Sequence, residues 1–188
     1  MAPIMRLVAL AGFIAILWVV QAVNWITGWS LNPQFGLIPR HLEGLDGVAL
    51  MPLLHGSGPH LMANTPPLAV MGGLVALTAT RALIAVNAVI VLGGGLAVWL
   101  LGSPAIHVGA SGLIFGWFGF LVARGLLDRS PVPVLCAAGV GVLYGAMLWG
   151  VLPGRAGVSW EAHLFGFLAG GAAAWLVPVH VHAPRMSS

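Results

Sequence analysis

The chain is predicted to be an all-α polytopic membrane protein with six spanning helices. Three observations predict it. Of 188 residues, 60% are hydrophobic and only 6% charged, where soluble domains carry roughly 25% charged residues. The mean hydropathy is +1.02. The apolar residues also fall into blocks of about 20, the length a helix needs to cross the hydrocarbon core.

The six blocks are 7–26, 60–80, 82–101, 111–127, 133–152 and 160–179. The first could be mistaken for a signal peptide, but it runs on through Trp25 and Ile26 with no small-x-small cleavage site, so it reads as a retained span. Together the spans make residues 1–188 a single membrane domain with no soluble domain left over. The longest stretch between spans, residues 27–59, holds Phe35-Gly36-Leu37-Ile38 and the run 48–54. That is too apolar for a solvated linker and predicts a segment lying at the membrane interface.

All seven basic residues are arginines, scattered singly. A nucleic-acid partner needs a clustered basic face, so that class is disfavoured. Arg6, Arg81, Arg124, Arg129 and Arg185 fall on one side of the predicted membrane, and Arg40 and Arg155 on the other. The arginine-rich side is cytoplasmic by the positive-inside rule. This predicts a multi-pass protein of the cell membrane with both termini inside. The lone Cys136 has no partner for an internal disulfide and reads as packing.

With that orientation, His60, Ser111 and His163 all fall at the outer, N-terminal ends of even-numbered spans. Ser111 is thirteen residues before Arg124, roughly 20 Å above the inner interface at 1.5 Å per residue. That places it about 10 Å below the outer edge of the core, and His163 counts to a similar depth. The loop 102–110 must then dip into the membrane, which is tolerated only where protein or a water-filled cavity surrounds it. Gly112, Gly116 and Gly119 recur at four and three on one helix, and His163, Gly166 and Gly170 at three and four on another. Two such faces can pack closely in lipid and bring Ser111 to His163. A serine alone at such a place is more often a packing residue; a histidine at the matched end of the partner face shifts the balance to a nucleophile and its base. His60 and Asn64 are four apart and share a face. Polar groups inside a span are costly and default to a functional reading, although Asn64 could simply tie two helices together. Pro66 and Pro67 remove helical donors, which predicts a kink or local opening.

These elements, His60-x-x-x-Asn64, Gly109-x-Ser111-Gly112 and Ala162-His163-x-x-Gly166-x-x-x-Gly170 in that order, resemble the rhomboid family of intramembrane serine proteases. The resemblance covers essentially the whole chain as a six-span core. His55 resembles a histidine often found in the loop before the second span. The resemblance implies Ser111 as nucleophile and His163 as its general base. His60, Asn64 and the Ser111 N–H are implied to bind the oxyanion, with Gly109, Gly112 and Phe115 lining the cavity. No cofactor or metal is implied. The expected partners are single-span membrane protein substrates and the lipid bilayer. Glu161 is two residues from His163 on a helix, a spacing that does not face it, so a dyad rather than a triad is expected. Two positions depart from the family pattern. The first outer loop reads Asp46-Gly47-Val48-Ala49-Leu50-Met51, without the Trp-Arg pair many members carry. Phe115 stands where many members have a tyrosine that packs on the catalytic histidine.

Other classes fit less well. A metalloprotease needs a second ligand at the right spacing from His163 and finds none. A transporter is expected to show internal repeats and midplane polar groups. The closest rival is a catalytically silent rhomboid-like protein that binds and escorts membrane proteins, against which the intact Ser111 and His163 argue. Of the remaining histidines, His41 and His107 fall in outer loops, with His107 a candidate to line the cavity, and His180 and His182 follow the last span.

Overall fold

The computed structural model describes residues 2–80, 82–154 and 157–178. Arg81, Arg155, Arg185, His180, His182 and the predicted end of the sixth span at Val179 lie outside the described residues. The architecture is an all-α membrane bundle. α1 (Pro3–Ile26) is the first span, and a short α2 (Leu31–Phe35) and α3 (Gly47–Leu50) follow in the loop after it. α4 (Gly58–Thr78) is the second span. The third runs from α5 (Leu83–Ala88) through a π turn, Val89–Gly93, into α6 (Gly94–Leu101). α7 (Ser111–Asp128) is the fourth, α8 (Pro131–Tyr144) the fifth, continued by a 3-10 segment Gly145–Val151, and α9 (Trp160–Leu176) the last.

Five of these stretches are long and apolar enough to cross a membrane by length and composition. α9, at 17 residues, spans about 25 Å and packs along the centre of the bundle. The lipid-facing surface is visible in the side chains. Val142 and Leu143 on α8 are 86% and 72% exposed, as is most of the apolar surface of α1. Such faces are stable only in a hydrocarbon solvent.

α7 is the central helix, with eleven buried residues. Its partner is α9, and the glycines explain the closeness. A Cβ on Gly166 would collide with the carbonyl oxygen of Gly112, one on Gly170 with that of Gly116, and one on Gly119 with that of Phe167. The two backbones therefore touch with no side chain between them, as small residues allow in lipid. One detail corrects the expected single glycine face. The missing Cβ of Gly116 points at Ile90 in the π turn of the third span, not at α9. Gly116 offers α9 its carbonyl instead, so α7 is clasped from two sides.

Pro66 and Pro67 lie inside α4, which stays helical from Gly58 to Thr78. The helix is thus not interrupted at the two prolines, although they remove two N–H donors. Apolar residues of the loop 27–59 are packed against the bundle. Leu37, Val48 and Met51 form a small core with Val98 and Ala162. Arg40 ties the loop to the end of α6, donating from Nη1 to the carbonyls of Leu100 (3.3 Å) and Gly102 (2.8 Å). Its polar backbone is thus held by protein.

Candidate active site

α4, α7 and α9 enter the bundle from one end, and their N-terminal turns meet around one cavity. Each start has a local cause. Ser57 caps α4 by accepting the N–H of His60 (3.2 Å), and Ser159 caps α9 by accepting that of Ala162 (3.2 Å). α7 has no side-chain cap. Its first N–H groups, at Ser111 and beyond, are left for whatever occupies the cavity. The turn into α7 needs Gly109, whose φ is +128°, a conformation that side chains other than glycine rarely adopt. A Cβ there would also press on His60, 2.8 Å from Cε1.

Ser111 Oγ lies 2.8 Å from His163 Nε2. On the other side of the imidazole, Nδ1 lies 2.8 Å from the carbonyl oxygen of Gly150. A carbonyl only accepts, so Nδ1 carries the proton and Nε2 presents its lone pair to the serine hydroxyl. Phe115 stacks on the His163 ring, with centroids 4.2 Å apart and planes 6° from parallel. The phenyl thus holds the ring plane without a hydroxyl.

The cavity of about 980 Å³ is lined by His60, Asn64, Ser111, Phe115 and His163, together with Tyr144 and Met147 from the fifth span. Pro66 and Pro67 also face it, so the kink-prone turn of α4 is part of its wall. Gly109 and Gly112 do not line it. Gly109 shapes the turn before Ser111, and Gly112 packs 3.3 Å from the Ala162 carbonyl, measured from an ideal Cβ position. Their contribution is to bring the backbone close.

His55 has a role that the sequence did not reveal. Its Nε2 accepts from Asn64 Nδ2 (3.1 Å) and from the Ala110 N–H (3.4 Å). It also meets His60 edge-on, with ring centroids 5.1 Å apart. Two donors on one nitrogen require that nitrogen to be unprotonated. Burial, and secondarily the neighbouring His60, push the His55 pKa down from 6.5 to about 4, which keeps it neutral at ordinary pH. His55 thus aims the Asn64 amide and ties it to the residue before Ser111.

His107 does not line the cavity. It is buried, donates from Nε2 to the Ser103 carbonyl (3.1 Å), and takes the Ser159 hydroxyl on Nδ1 (2.6 Å). Leu37 and His107 also pair backbone to backbone. Glu161 turns away from His163 and accepts the N–H and hydroxyl of Ser103. Both residues fasten the loop before Ser111 to the start of α9, which sets the distance between Ser111 and His163. Among the described residues, no cluster of three His, Cys, Asp or Glu side chains could hold a metal.

Comparison with known proteins matches residues 44–179 to the Rhomboid domain. The chain is 41% identical over 174 residues to an uncharacterized protein of Mycobacterium tuberculosis and to one of Mycobacterium bovis, covering 88% of this chain and 72% of each relative. It is 40% identical over 181 residues to an uncharacterized protein of Mycobacterium leprae, covering 90% of this chain and 70% of that one.

Proposed function

We propose that this chain, which belongs to the rhomboid family, is an intramembrane serine endopeptidase that cuts the spanning segments of other membrane proteins with a Ser111–His163 dyad. The observation that carries the reading is the 2.8 Å contact between Ser111 Oγ and a correctly oriented His163 Nε2, inside a cavity large enough for peptide. An incidental serine on a packing face needs neither the histidine, nor the carbonyl that orients it, nor the space.

In this reading His163 Nε2 takes the Ser111 hydroxyl proton as Oγ attacks the scissile carbonyl carbon. The carbonyl π electrons move to oxygen. The resulting oxyanion is met by the Ser111 N–H and by His60 and Asn64, and the uncapped N-terminal end of α7 adds its positive dipole. Collapse breaks the C–N bond as His163 returns the proton to the leaving nitrogen. Water then repeats the sequence on the acyl-Ser111 ester, with His163 as base, and frees the second product. The Gly150 carbonyl stands where a carboxylate often stands, so the imidazolium is stabilised by a dipole rather than by a charge.

The arginines support a location and an orientation. Arg6 and Arg124 lie at the same end of the bundle: Arg6 is near Val75, and Arg124 shares a crevice with Thr78. Arg40 bonds the opposite end, near the site. With the arginine-rich end cytoplasmic, cleavage occurs near the outer face of the cell membrane.

The test is labelling of the purified full-length chain by a fluorophosphonate, with cleavage of a single-span reporter in parallel. Wild type is expected to label and cleave. Ser111→Ala is expected to lose both, and His163→Ala to lose cleavage, with the detergent-solubilised fold intact. A Ser111→Ala protein that cleaves at the wild-type rate would remove Ser111 as nucleophile. A folded wild type that neither labels nor cleaves would favour the silent escort reading.

A further inference from the structure

A second cleft of about 340 Å³, sharing no lining residue with the catalytic cavity, lies among α1, α4, α5 and α7, with Ala49, Pro52 and Leu53 of the first loop also on its wall. Its walls are nearly all apolar, with Leu10, Phe13, Val75, Leu83 and Trp117 among them. Its polar side chains are satisfied with one exception. Asn87 accepts from Trp117 Nε1 (2.9 Å) and donates to the Leu83 carbonyl (2.8 Å). Arg6 is the exception. It is only 4% exposed, yet its Nε and Nη1 have no hydrogen-bond partner among the described residues. No acidic side chain lines the cleft.

An uncompensated buried cation is costly, and an arginine at a span end ordinarily reaches out to water. Arg6 instead folds into an apolar cleft. It stands three residues into α1, about 5 Å from the helix start and therefore near the depth of lipid headgroups. From there the cleft runs along Leu10 and Phe13 toward the membrane interior. A cation at headgroup depth leading into an apolar channel is complementary to one chemistry: an anionic phosphate carrying a hydrocarbon chain. The guanidinium fork suits phosphate oxygens, which accept in pairs, and the volume is in the range of small-molecule sites.

We propose that this cleft binds an anionic phospholipid, with the phosphate on Arg6 and one acyl chain between α1, α4 and α7. The site is separate from the dyad, and its test does not read proteolysis. The full-length chain in nonionic detergent is titrated with dioleoyl-phosphatidylglycerol, with dioleoyl-phosphatidylcholine, and with inorganic phosphate. Two signals are followed: the thermal midpoint, and quenching by acyl-brominated phosphatidylglycerol of the fluorescence lost in Trp117→Phe. Phosphatidylglycerol is expected to raise the midpoint and quench Trp117. Phosphatidylcholine offers Arg6 the same phosphate oxygens beside a choline cation that repels the guanidinium, and is expected to need at least about tenfold more lipid, the factor that about 1.4 kcal/mol supplies. Inorganic phosphate is expected to do neither.

Arg6→Gln is expected to bind phosphatidylglycerol at least about tenfold more weakly while its lipid-free midpoint does not fall, since an unpaired charge is removed. Ala9→Phe keeps Arg6 but fills the cleft wall, and is expected to lose both signals; it decides the matter if Arg6→Gln does not fold. Equal responses to the two lipids, an unchanged response in Arg6→Gln or Ala9→Phe, or a full midpoint shift from inorganic phosphate alone would each overturn the proposal.

Discussion

His163 Nδ1 lies 2.8 Å from the Gly150 carbonyl oxygen. That single contact sets the histidine tautomer and therefore which nitrogen faces Ser111. The carbonyl comes from the 3-10 segment Gly145–Val151, where the fifth span leaves α-helical geometry. Gly150 is the second-last residue of that segment, and carbonyls at a helix end lack an intrahelical donor, so this one is free to accept from a neighbour.

Gly150 must therefore remain without a side chain. A Cβ there would sit 3.0 Å from His163 Nδ1 and 3.1 Å from Phe115 Cζ, against both the ring and its stacking partner. Gly150→Ala is expected to lower kcat by about 10- to 100-fold, the scale of a small displacement of a catalytic group. Gly141→Ala, on the same span in open space, is expected to stay near wild type. Initial cleavage rates of the two variants check this, and equal rates would remove the positioning argument.

Much of the fold is legible in the sequence because lipid demands long apolar helices and tolerates close backbones only at small residues. Hydropathy locates the spans, and glycine spacing brings α7 to α9. The same spacing misassigns Gly116, because a helical glycine can meet one neighbour through its carbonyl and another through its absent Cβ. The Gly150 acceptor left no trace in the sequence, since any residue carries a carbonyl. His55 was visible only as a resemblance: nothing in its spacing from Asn64 shows that its ring folds back onto that amide. Pro66 and Pro67 predict a kink or local opening, yet α4 is helical through them.

The Asn64 amide depends on a neutral His55. The His55 pKa is lowered from 6.5 to about 4, chiefly by burial. The sign follows from proton uptake. Between these values the unfolded chain is protonated at His55 and the folded chain is not, so stability is lost as pH falls from about 6.5 toward 4. The full loss is on the order of 3 kcal/mol. Below about pH 4 the ring gains a proton on Nε2, which then opposes the Asn64 and Ala110 donors instead of accepting them. Thermal midpoints in detergent are expected to drop across that window in wild type and to drop less in His55→Gln. Asn64→Ala at neutral pH is expected to reduce kcat by up to about 10²–10³, the effect of losing one oxyanion donor. Parallel midpoint curves for wild type and His55→Gln would show that His55 is not the group responsible.

Close contact between α7 and α9 leaves no tolerance at Gly170. A Cβ there meets the α7 backbone at the Gly116 carbonyl and, at 2.9 Å, at the Phe120 nitrogen, and backbone cannot rotate away as a side chain can. Gly170→Ala is expected to destabilise by about 3 kcal/mol or more, or to prevent folding, the upper range for overpacking. Gly171→Ala, with nothing within 4 Å of its Cβ position, is expected to be neutral and also removes a helix-destabilising glycine. Thermal midpoints of the pair give the comparison. A folded Gly170→Ala of wild-type stability would mean that the helices stand further apart than the glycine contacts imply.

In the proposed reaction the substrate comes to Ser111 as extended chain. A spanning helix hides its carbonyls in internal hydrogen bonds, and in lipid it has no reason to release them. The scissile segment must therefore unwind at the cavity, where water and the donors around Ser111 can replace those bonds. Glycine or proline near the cut lowers that cost by about 1 to 3 kcal/mol per residue, so reporters with such residues are expected to be cut faster than a poly-Leu span. The cavity beside Ser111 is also shared with His60, Phe115, Tyr144 and Met147, whose bulk favours a small residue such as Ala before the cut over Phe. Cleavage is expected about 10 Å inside the outer edge of the core. The assay compares one reporter span with and without its Gly and Pro, and with Ala or Phe before the cut. Equal rates for the rigid and the helix-broken spans would defeat the unwinding requirement, and equal rates after Ala and Phe would show that the bulk around Ser111 does not select the residue.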